Sequence, residues 1–300
     1  MGVLDQFIVK TLPLVPKPIV KRLSKAYIAG AELDQAVSTV KDLNQKGFCT
    51  TIDLLGEFVE NFDQVAENEQ GYRNILKVIQ EHQLDANISI KPTSFGLLLD
   101  EDQCCRILES LLEEAAKMGN FMRIDMEDSE CTTPTIRMYE RFRKRFGHHV
   151  GVVLQAYLKR TPQDVKEITA DQPGHFRLCK GIYVEPEAIA IKSFQGIRDQ
   201  FVSVLDAMFA SGSYVGIATH DDYLVDQAEK LIAQKGLKKD QYEFQMLLGV
   251  REALRDQILS RGHKLRIYVP YGQRWYEYSV RRLKENPALA GTMFKAIFFG

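Results

Sequence analysis

The sequence predicts an α/β protein built as one (β/α)₈ TIM barrel. Eight apolar, strand-length runs alternate with segments whose apolar residues recur at helical spacing, a pattern typical of βαβ units around a parallel sheet. Eight such units fit a barrel of about 250 residues, preceded by a helical arm. We therefore expect a single domain overall, with the arm at 1–45 and the barrel at 46–300. A doubly wound open sheet is the alternative, and the count of eight favours the barrel.

The predicted elements follow one another with short connections. The strands are expected at 48–55, 87–92, 121–126, 150–157, 176–183, 214–220, 242–247 and 264–270. The helices are expected at 31–45, 61–82, 101–118, 133–145, 161–169, 187–210, 221–234 and 250–261. Two short amphipathic helices, 3–12 and 18–29, come first, and the second is basic. It is interpreted as a packed arm, with a weak contact to an anionic membrane surface as the alternative.

Composition excludes some classes of function. The net charge of −1 and the lack of a basic stripe argue against nucleic-acid binding. The five cysteines form no CxxC pair, which favours reduced thiols in a cytoplasmic protein. The first residues lack the basic start of a signal peptide, and no apolar run approaches the roughly 18 residues that a membrane span needs.

A C-terminal segment, 266–287, carries the strongest local signal. It is expected to form a strand, a turn and a helix that ends before Pro287. Tyr278, Arg281, Arg282 and Glu285 have the spacing i, i+3, i+4 and i+7 and therefore share one helix face. Paired guanidinium groups match a carboxylate in a bidentate manner. The segment thus suggests a carboxylate clamp, with a solvated charged face as the alternative.

Polar side chains also follow the ends of most predicted strands, where the active site of a barrel lies. They are Lys91, Asp125, Glu127, Gln155, Tyr157, Arg177, Lys180, Tyr183, Thr219, His220, Glu243, Gln245 and Tyr268. Burying charge is costly unless the charge is paired or bound to a ligand. A cation-rich cavity of this kind suits a small carboxylate together with a phosphate-bearing redox cofactor. There is no GxG or Walker A motif, so the barrel itself must bind any dinucleotide.

Two other functions compete with this interpretation. One is a metal-dependent barrel hydrolase, in which Asp125, Glu127 and His220 could be ligands. No strand carries an HxH motif, and we therefore expect no metal site. The other is a protein that binds a carboxylate without catalysis.

Several motifs, taken together and in order, resemble the proline dehydrogenase family in its monofunctional bacterial form. The resemblance covers about 50–287 and rests on Lys91, Ile124-Asp125-Met126-Glu127, Leu154-Gln155-Ala156-Tyr157, Arg177-Leu178-x-Lys180-Gly181-x-Tyr183, Ala218-Thr219-His220-Asp221, Glu243-Phe244-Gln245-Met246-Leu247, Tyr268-x-Pro270 and Tyr278-x-x-Arg281-Arg282-Leu283-x-Glu285-Asn286. Cys179 and Ile182 depart from the usual valine and alanine, which affects only the detailed fit around a cofactor.

The resemblance implies a distorted (β/α)₈ barrel with FAD in its mouth. It implies oxidation of L-proline to 1-pyrroline-5-carboxylate by hydride transfer to FAD N5, with electrons passed to a membrane quinone. This is the first step of proline catabolism to glutamate, and pyrroline-5-carboxylate dehydrogenase would act next. The resemblance is compatible with a cytoplasmic enzyme in weak peripheral contact with the inner face of the membrane.

The resemblance also assigns roles to residues. Asp125 and Arg177 would be the catalytic pair. The residues expected to bind the substrate are Lys91, Leu247, Tyr268, Tyr278, Arg281, Arg282 and Glu285. The residues expected to contact FAD are Met126, Gln155, Lys180, Gly181, Ile182, Thr219 and His220.

Overall fold

Eight parallel strands close into a barrel in chain order, as the alternating pattern predicts. A computed structural model describes Ser24, residues 26–276, Tyr278 and Ser279. The strands are β1 (Cys49–Leu54), β2 (Ala86–Ile90), β3 (Met122–Ile124), β4 (Val150–Gln155), β5 (His175–Cys179), β6 (Tyr214–Ala218), β7 (Tyr242–Leu247) and β8 (Leu265–Tyr271). Because β1 pairs with both β2 and β8, the barrel has no open edge.

Helices flank the strands and cover the barrel. They are α1 (Leu33–Gln45), α2 (Phe62–Glu81), α3 (Glu101–Lys117), α4 (Ser129–Phe146), α5 (Thr161–Ile168), α6 (Phe194–Ala210), α7 (Asp222–Lys235) and α8 (Glu252–Ser260). Side chains from these helices and from the strands form one large apolar core. Among the residues that the structure describes, none of the helices combines the length and apolarity that a membrane crossing needs.

The first of these helices, α1, precedes β1 and packs against both β1 and β8. Its apolar face contributes Ala36, Val37, Val40 and Leu43 to the same core as the strands. The helix therefore covers the seam where the last strand meets the first. The boundary expected at residue 45 remains a prediction, since the two basic or amphipathic segments before it lie largely outside the described residues.

The helix expected at 187–210 begins only at Phe194. The residues before it form a turn and an antiparallel bridge between Leu158 and Ala190. Lys159 N–H donates to the Ile189 carbonyl at 2.9 Å. This pairing takes backbone groups that a helix would need for itself. The helical spacing of residues 187–193 was therefore misleading, and the segment joins the loops that follow β4 and β5.

The helix expected at 133–145 begins earlier, at Ser129. Asp128 caps it by accepting a hydrogen bond from the Cys131 N–H at 3.2 Å. Pro134 lies inside the first turns, although a proline more often marks the first helical residue. Pro134 is the sixth residue of this helix, past the first four N–H groups that have no helical partner, so it removes one helical hydrogen bond. The helix nevertheless begins at the aspartate cap.

The barrel interior holds an unusual amount of charge. Arg123 on β3, Glu243 on β7 and Arg266 on β8 are all buried. Arg266 Nε donates to Glu243 Oε1 at 2.7 Å. Burial alone would raise the pKa of Glu243, but Arg266 outweighs burial and holds that pKa well below its usual range. Glu243 is thus an anion deep inside the barrel.

Candidate active site

A cavity of about 650 Å³ opens at the carboxyl ends of the barrel strands. This volume lies within the usual range for a ligand site of about 300–1,000 Å³. The cavity is lined by Glu57, Lys91, Asp125, Met126, Val153, Arg177, Cys179, Lys180, Gly181, Ile182, Tyr183, Phe194, Arg198, Ala218, Thr219, His220, Asp221, Asp222, Gln245, Met246, Leu247, Arg251, Tyr268 and Tyr278.

The fold brings nearly all of the described candidate residues to this one cavity. Those that line it are Lys91, Asp125, Met126, Arg177, Lys180, Gly181, Ile182, Thr219, His220, Leu247, Tyr268 and Tyr278. Gln155 is instead buried, and its amide donates to the Glu127 carbonyl at 2.7 Å. Arg281, Arg282 and Glu285 lie outside the described residues.

The Asp125 carboxylate, just beyond β3, is the centre of the polar network. Ser89 Oγ and Arg177 Nη1 both donate to its Oδ1 at 2.6 Å. Tyr268 donates its hydroxyl to Oδ2 at 2.9 Å. These three donors come from β2, β5 and β8, so Asp125 joins strands on different sides of the barrel mouth. The carboxylate is buried, and three donors offset much of its desolvation cost.

Lys91 lies beside this carboxylate and is also buried. Its Nζ donates to Asp53 Oδ1 at 2.9 Å and lies 3.8 Å from Asp125 Oδ2. Burial alone would lower the pKa of Lys91, but the two aspartates outweigh burial and raise it well above its ordinary value. Lys91 is therefore a fixed cation, although its charge is already matched within the protein.

Tyr268 connects the lysine and the aspartate. Lys91 Nζ donates to the tyrosine hydroxyl oxygen at 3.3 Å, while that hydroxyl donates to Asp125. The Arg177 guanidinium lies 5.3 Å from the centre of the Tyr268 ring, within the range of a cation–π contact. Burial raises the pKa of Tyr268 well above its ordinary value. The phenol therefore stays protonated. The Tyr268 side chain also lines the cavity.

A second polar cluster lies on the other side of the cavity, around Asp221. Lys180 Nζ contacts Asp221 Oδ2 at 2.5 Å, and Arg198 Nη2 contacts Oδ1 at 2.6 Å. Burial works to raise the pKa of Asp221, but the hydrogen bonds from the two cations outweigh it and lower the pKa to about 2. The cluster carries two cations and one anion, which leaves an excess positive charge. Arg198 also lies 4.3 Å from the centre of the Phe194 ring.

His220 and its neighbours border the same side. The Leu247 N–H donates to His220 Nε2 at 2.9 Å, so a neutral His220 carries its proton on Nδ1. Thr219 Oγ1 accepts from the Asp221 N–H at 3.2 Å. These bonds hold the Thr219–Asp221 turn against the end of β7.

Asp53, Ser89 and Arg198 were missed by reading the sequence. Asp53 and Ser89 are polar residues inside apolar strand runs, and this contrast was the available signal. Their buried partners on other strands, Lys91 and Asp125, could not be known without the closed barrel. Arg198 lies on the outer helix α6, lines the cavity and contacts Asp221, and nothing in the local sequence marks this placement.

The chain is similar in sequence to known proteins over most of its length. The model of the family described as "Proline dehydrogenase" matches residues 36–295. Proline dehydrogenase 1 of Bacillus subtilis subsp. natto is 36% identical over 96% of this chain and 95% of its own length. Proline dehydrogenase of Deinococcus radiodurans is 30% identical over 93% of this chain and 91% of its own.

The fold also matches solved structures. Proline utilization A from Bdellovibrio bacteriovorus, inactivated by N-propargylglycine, superposes with a TM-score of 0.81 over 91% of this chain and 34% of its own, at 22% identity. This likeness shows the fold. The metal-dependent hydrolase alternative gains no support from any of these comparisons. Among the described residues, no group of three His, Cys, Asp or Glu side chains is placed to hold a metal ion.

Glu127 follows Asp125 and Met126 in the chain but is fully buried beneath the loops. Thr93 donates to it through both its N–H, at 2.9 Å, and its hydroxyl. The Thr93 hydroxyl in turn accepts from the Phe58 N–H at 3.1 Å. Glu127 thus holds the loops after β1 and β2 together. Burial raises its pKa to about 7, despite the opposing effect of the Thr93 hydrogen bonds.

The raised pKa predicts a pH-dependent effect of Glu127→Gln on folding. Because the pKa of Glu127 is higher in the folded protein than in the unfolded chain, the protonated side chain stabilises the fold. This contribution to the free energy of unfolding is complete below the unfolded pKa and is lost as pH rises to the folded pKa of about 7. The variant should therefore gain stability relative to the native protein between pH 5 and 8, by up to about 3 kcal/mol. Urea unfolding of both proteins at these two pH values measures the change. A stability difference that is the same at both would contradict the assignment.

Proposed function

We propose that this chain, which belongs to the proline dehydrogenase family, is an oxidoreductase that converts L-proline to 1-pyrroline-5-carboxylate in the first step of proline catabolism. The observation that carries the proposal is the buried cluster of Asp125, Lys91, Arg177 and Tyr268 at the mouth of the barrel. The cluster offers fixed charges and one aromatic wall for a small, charged, saturated ring.

Members of this family are flavin-dependent, and we propose FAD as the cofactor of this chain. The donor set at the Asp221 side fits a phosphate-bearing group, because Lys180 and Arg198 leave an excess positive charge there. Ile182 and Phe194, which are 44% and 60% exposed, line the cavity and could cover flat rings. Met126, Gly181, Thr219 and His220 would complete this side of the cofactor site. Gln155 would support the site from below, through the carbonyl of Glu127.

Charge balance supports a separate pair of cations for the proline carboxylate. Lys91 is matched by Asp53 and Asp125, and Arg177 is bound to Asp125. The charges of the described cations near Tyr268 are therefore already balanced by these two aspartates. The adjacent pair Arg281 and Arg282 would supply the missing positive charge and a bidentate fork. Glu285 would orient that pair, and Lys91 would contribute its field.

The remaining walls of the site would be apolar. The rings of Tyr268 and Tyr278 and the side chain of Leu247 line the cavity. Tyr278 is buried and packs in a cluster with Tyr27, Ile28 and Leu55, which fixes the position of its ring. A proline ring packed between these side chains would lose the freedom to rotate, and correct placement is a large part of catalysis.

The chemistry divides between cofactor and protein. When bound, the flavin accepts a hydride at N5. The nitrogen lone pair of proline forms the C=N bond as the hydride leaves the adjacent ring carbon, so the substrate amine must first lose its proton. The protein places proline, excludes water and supplies fixed charge. Arg177, a buried cation held by Asp125, would stabilise the negative charge that develops on reduction.

We propose that electrons then pass to a quinone and that the enzyme works in the cytoplasm. A quinone lies in the membrane, so the protein would meet its acceptor at the inner membrane surface. The basic segment at 18–29 is a candidate for this contact, although it lies largely outside the described residues. The product would be consumed by pyrroline-5-carboxylate dehydrogenase.

One visible spectrum tests the function most directly. The purified protein should show flavin absorbance bands, and L-proline added without oxygen should bleach them because the hydride reduces the cofactor. The flavin released by heat should become more fluorescent after phosphodiesterase treatment, which distinguishes FAD from FMN. D-proline, whose carboxylate would point away from the arginine pair, should bleach the bands far more slowly. A colourless protein, or bands that L-proline leaves intact, would contradict the proposal.

Substitution of the arginine pair tests the carboxylate clamp. Arg281→Ala and Arg282→Ala should each raise the Kd for proline about 10- to 100-fold, since each loses a charge-assisted hydrogen bond of about 1.5–3 kcal/mol. The Kd of Arg281→Lys should lie between those of the wild type and Arg281→Ala, because lysine keeps the charge but cannot form a bidentate contact. The concentration dependence of anaerobic bleaching gives the Kd. The control is Arg261→Ala, which removes an exposed ion pair with Glu229. Equal affinities in all variants would mean that the clamp lies elsewhere.

A further inference from the structure

A continuous polar chain leads from the catalytic end of the barrel into its interior. Arg177 Nε donates to Gln245 Oε1 at 2.5 Å, and Gln245 Nε2 donates to Glu243 Oε1 at 2.6 Å. Arg266 donates to the same Glu243 oxygen, and its Nη1 also donates to the Thr50 carbonyl at 2.6 Å. Gln245 and Glu243 are more than nine-tenths buried. The chain thus ties the guanidinium of Arg177 to β7 and β8.

Chemistry at both ends fixes which way the Gln245 amide points. Arginine can only donate hydrogen bonds, and an ionised carboxylate can only accept them. Arg266, together with Lys264, keeps Glu243 ionised, since both cations lie within ion-pair distance of it. The amide must therefore present its NH₂ to Glu243 and its oxygen to Arg177. A flipped amide would place donor against donor and acceptor against acceptor.

Gly216 on β6 gives the amide room to reach Arg177. The strand register places Arg177, Gly216 and Glu243 at the same level of β5, β6 and β7. A Cβ atom at position 216 would lie 2.4 Å from Gln245 Nε2, closer than real contacts allow. Without a side chain on β6 at this level, the Gln245 amide can cross in front of that strand.

We propose that Gln245 is a positioning residue for the reaction, and that Glu243 fixes the direction of its amide. The hydrogen bonds from Arg177 Nε to Gln245 and from Gln245 to Glu243 set the orientation of the guanidinium, whose Nη1 donates to Asp125. Without Gln245, Nε would lose its acceptor, and the guanidinium would be held only at Nη1, which donates to Asp125 Oδ1 and Ser89 Oγ, and over the Tyr268 ring. This proposal rests on the proposed function, because it assigns to Arg177 the task of stabilising charge on a reduced flavin.

The effect on catalysis should appear in the rate and not in substrate binding. Gln245 lines the cavity, but its amide is bonded to Arg177 and Glu243, whereas proline would be held by the arginine pair and the aromatic walls. A displaced guanidinium would stabilise the reduced flavin less, so the midpoint potential of the bound flavin should become more negative. Small displacements of a catalytic group can lower a rate by about 100-fold.

Two substitutions test the proposal in the flavin-loaded enzyme. Gln245→Met removes the amide at similar size. Gly216→Ala keeps the glutamine but adds a methyl group 2.4 Å from its Nε2, so the amide must move away from its present position. For both we expect anaerobic reduction by proline to slow about 10- to 100-fold, the Kd for proline to change less than about threefold, and the potential to fall. The control is Gln200→Met, which loses amide bonds of 2.6 and 2.7 Å to the Ala156 and Leu158 carbonyls outside the cavity lining.

The outcomes separate this proposal from the proposed function. If wild-type flavin is not bleached by proline, the proposed function fails. The potential, measured by titration with a chemical reductant, still tests Gln245 in that case. Unchanged rate and potential in Gln245→Met would overturn the positioning role. Equal losses in Gln200→Met would also overturn it, because they would show a general loss of packing.

Discussion

The structure of the barrel mouth depends on one carboxylate. Asp125 accepts hydrogen bonds from Ser89, Arg177 and Tyr268 and lies within ion-pair distance of Lys91. Each donor comes from a different part of the wall. Without the negative charge, two buried cations would be only partly compensated. The positions of these side chains are therefore mutually dependent.

The same constraint explains the charged interior of the barrel. Lys91, Arg177 and Arg266 are buried cations with carboxylate partners, because an unpaired buried charge is costly, whereas the buried Arg123 donates to the Val152 and His175 carbonyls. Asp53 and Asp125 match Lys91 and Arg177, while Glu243 matches Arg266 deeper in the barrel. An apolar core would cost less desolvation energy but would leave the arginine at the mouth without lateral support. The polar interior is continuous with the hydrogen-bond network at the mouth through Gln245.

Much of this could be predicted from the sequence. The strand–helix alternation identified the barrel, and strand-end polarity brought Lys91, Asp125, Arg177 and Tyr268 to one cavity. The predicted start of α6 at residue 187 was wrong, because helical spacing cannot reveal a backbone bridge to a distant loop. The partnership of Asp53 with Lys91 was missed because it joins neighbouring strands across 38 positions in the chain. Local pattern shows which residues are polar, while the register of a closed sheet decides which ones meet.

The assignment of roles at the C-terminal helix stays a prediction. Tyr278 lines the cavity, but Arg281, Arg282 and Glu285 lie outside the described residues. Their spacing in the sequence predicts that they share one helix face with Tyr278. The internal matching of Lys91 and Arg177 strengthens the case for an additional cation pair, because a substrate carboxylate must find its positive partner somewhere.

The most direct test of the account is the rate of anaerobic flavin reduction by proline in Asp125→Asn. This change keeps the size of the side chain but removes the charge that unites Lys91, Arg177 and Tyr268. The account predicts a rate at least about tenfold lower, since a charge-assisted network is worth more than about 1.4 kcal/mol. The matched variant Asp206→Asn, which alters only a partly exposed ion pair with Lys235, should reduce at the wild-type rate. An Asp125→Asn variant whose flavin is reduced at the wild-type rate, and which binds proline with wild-type affinity, would contradict the account.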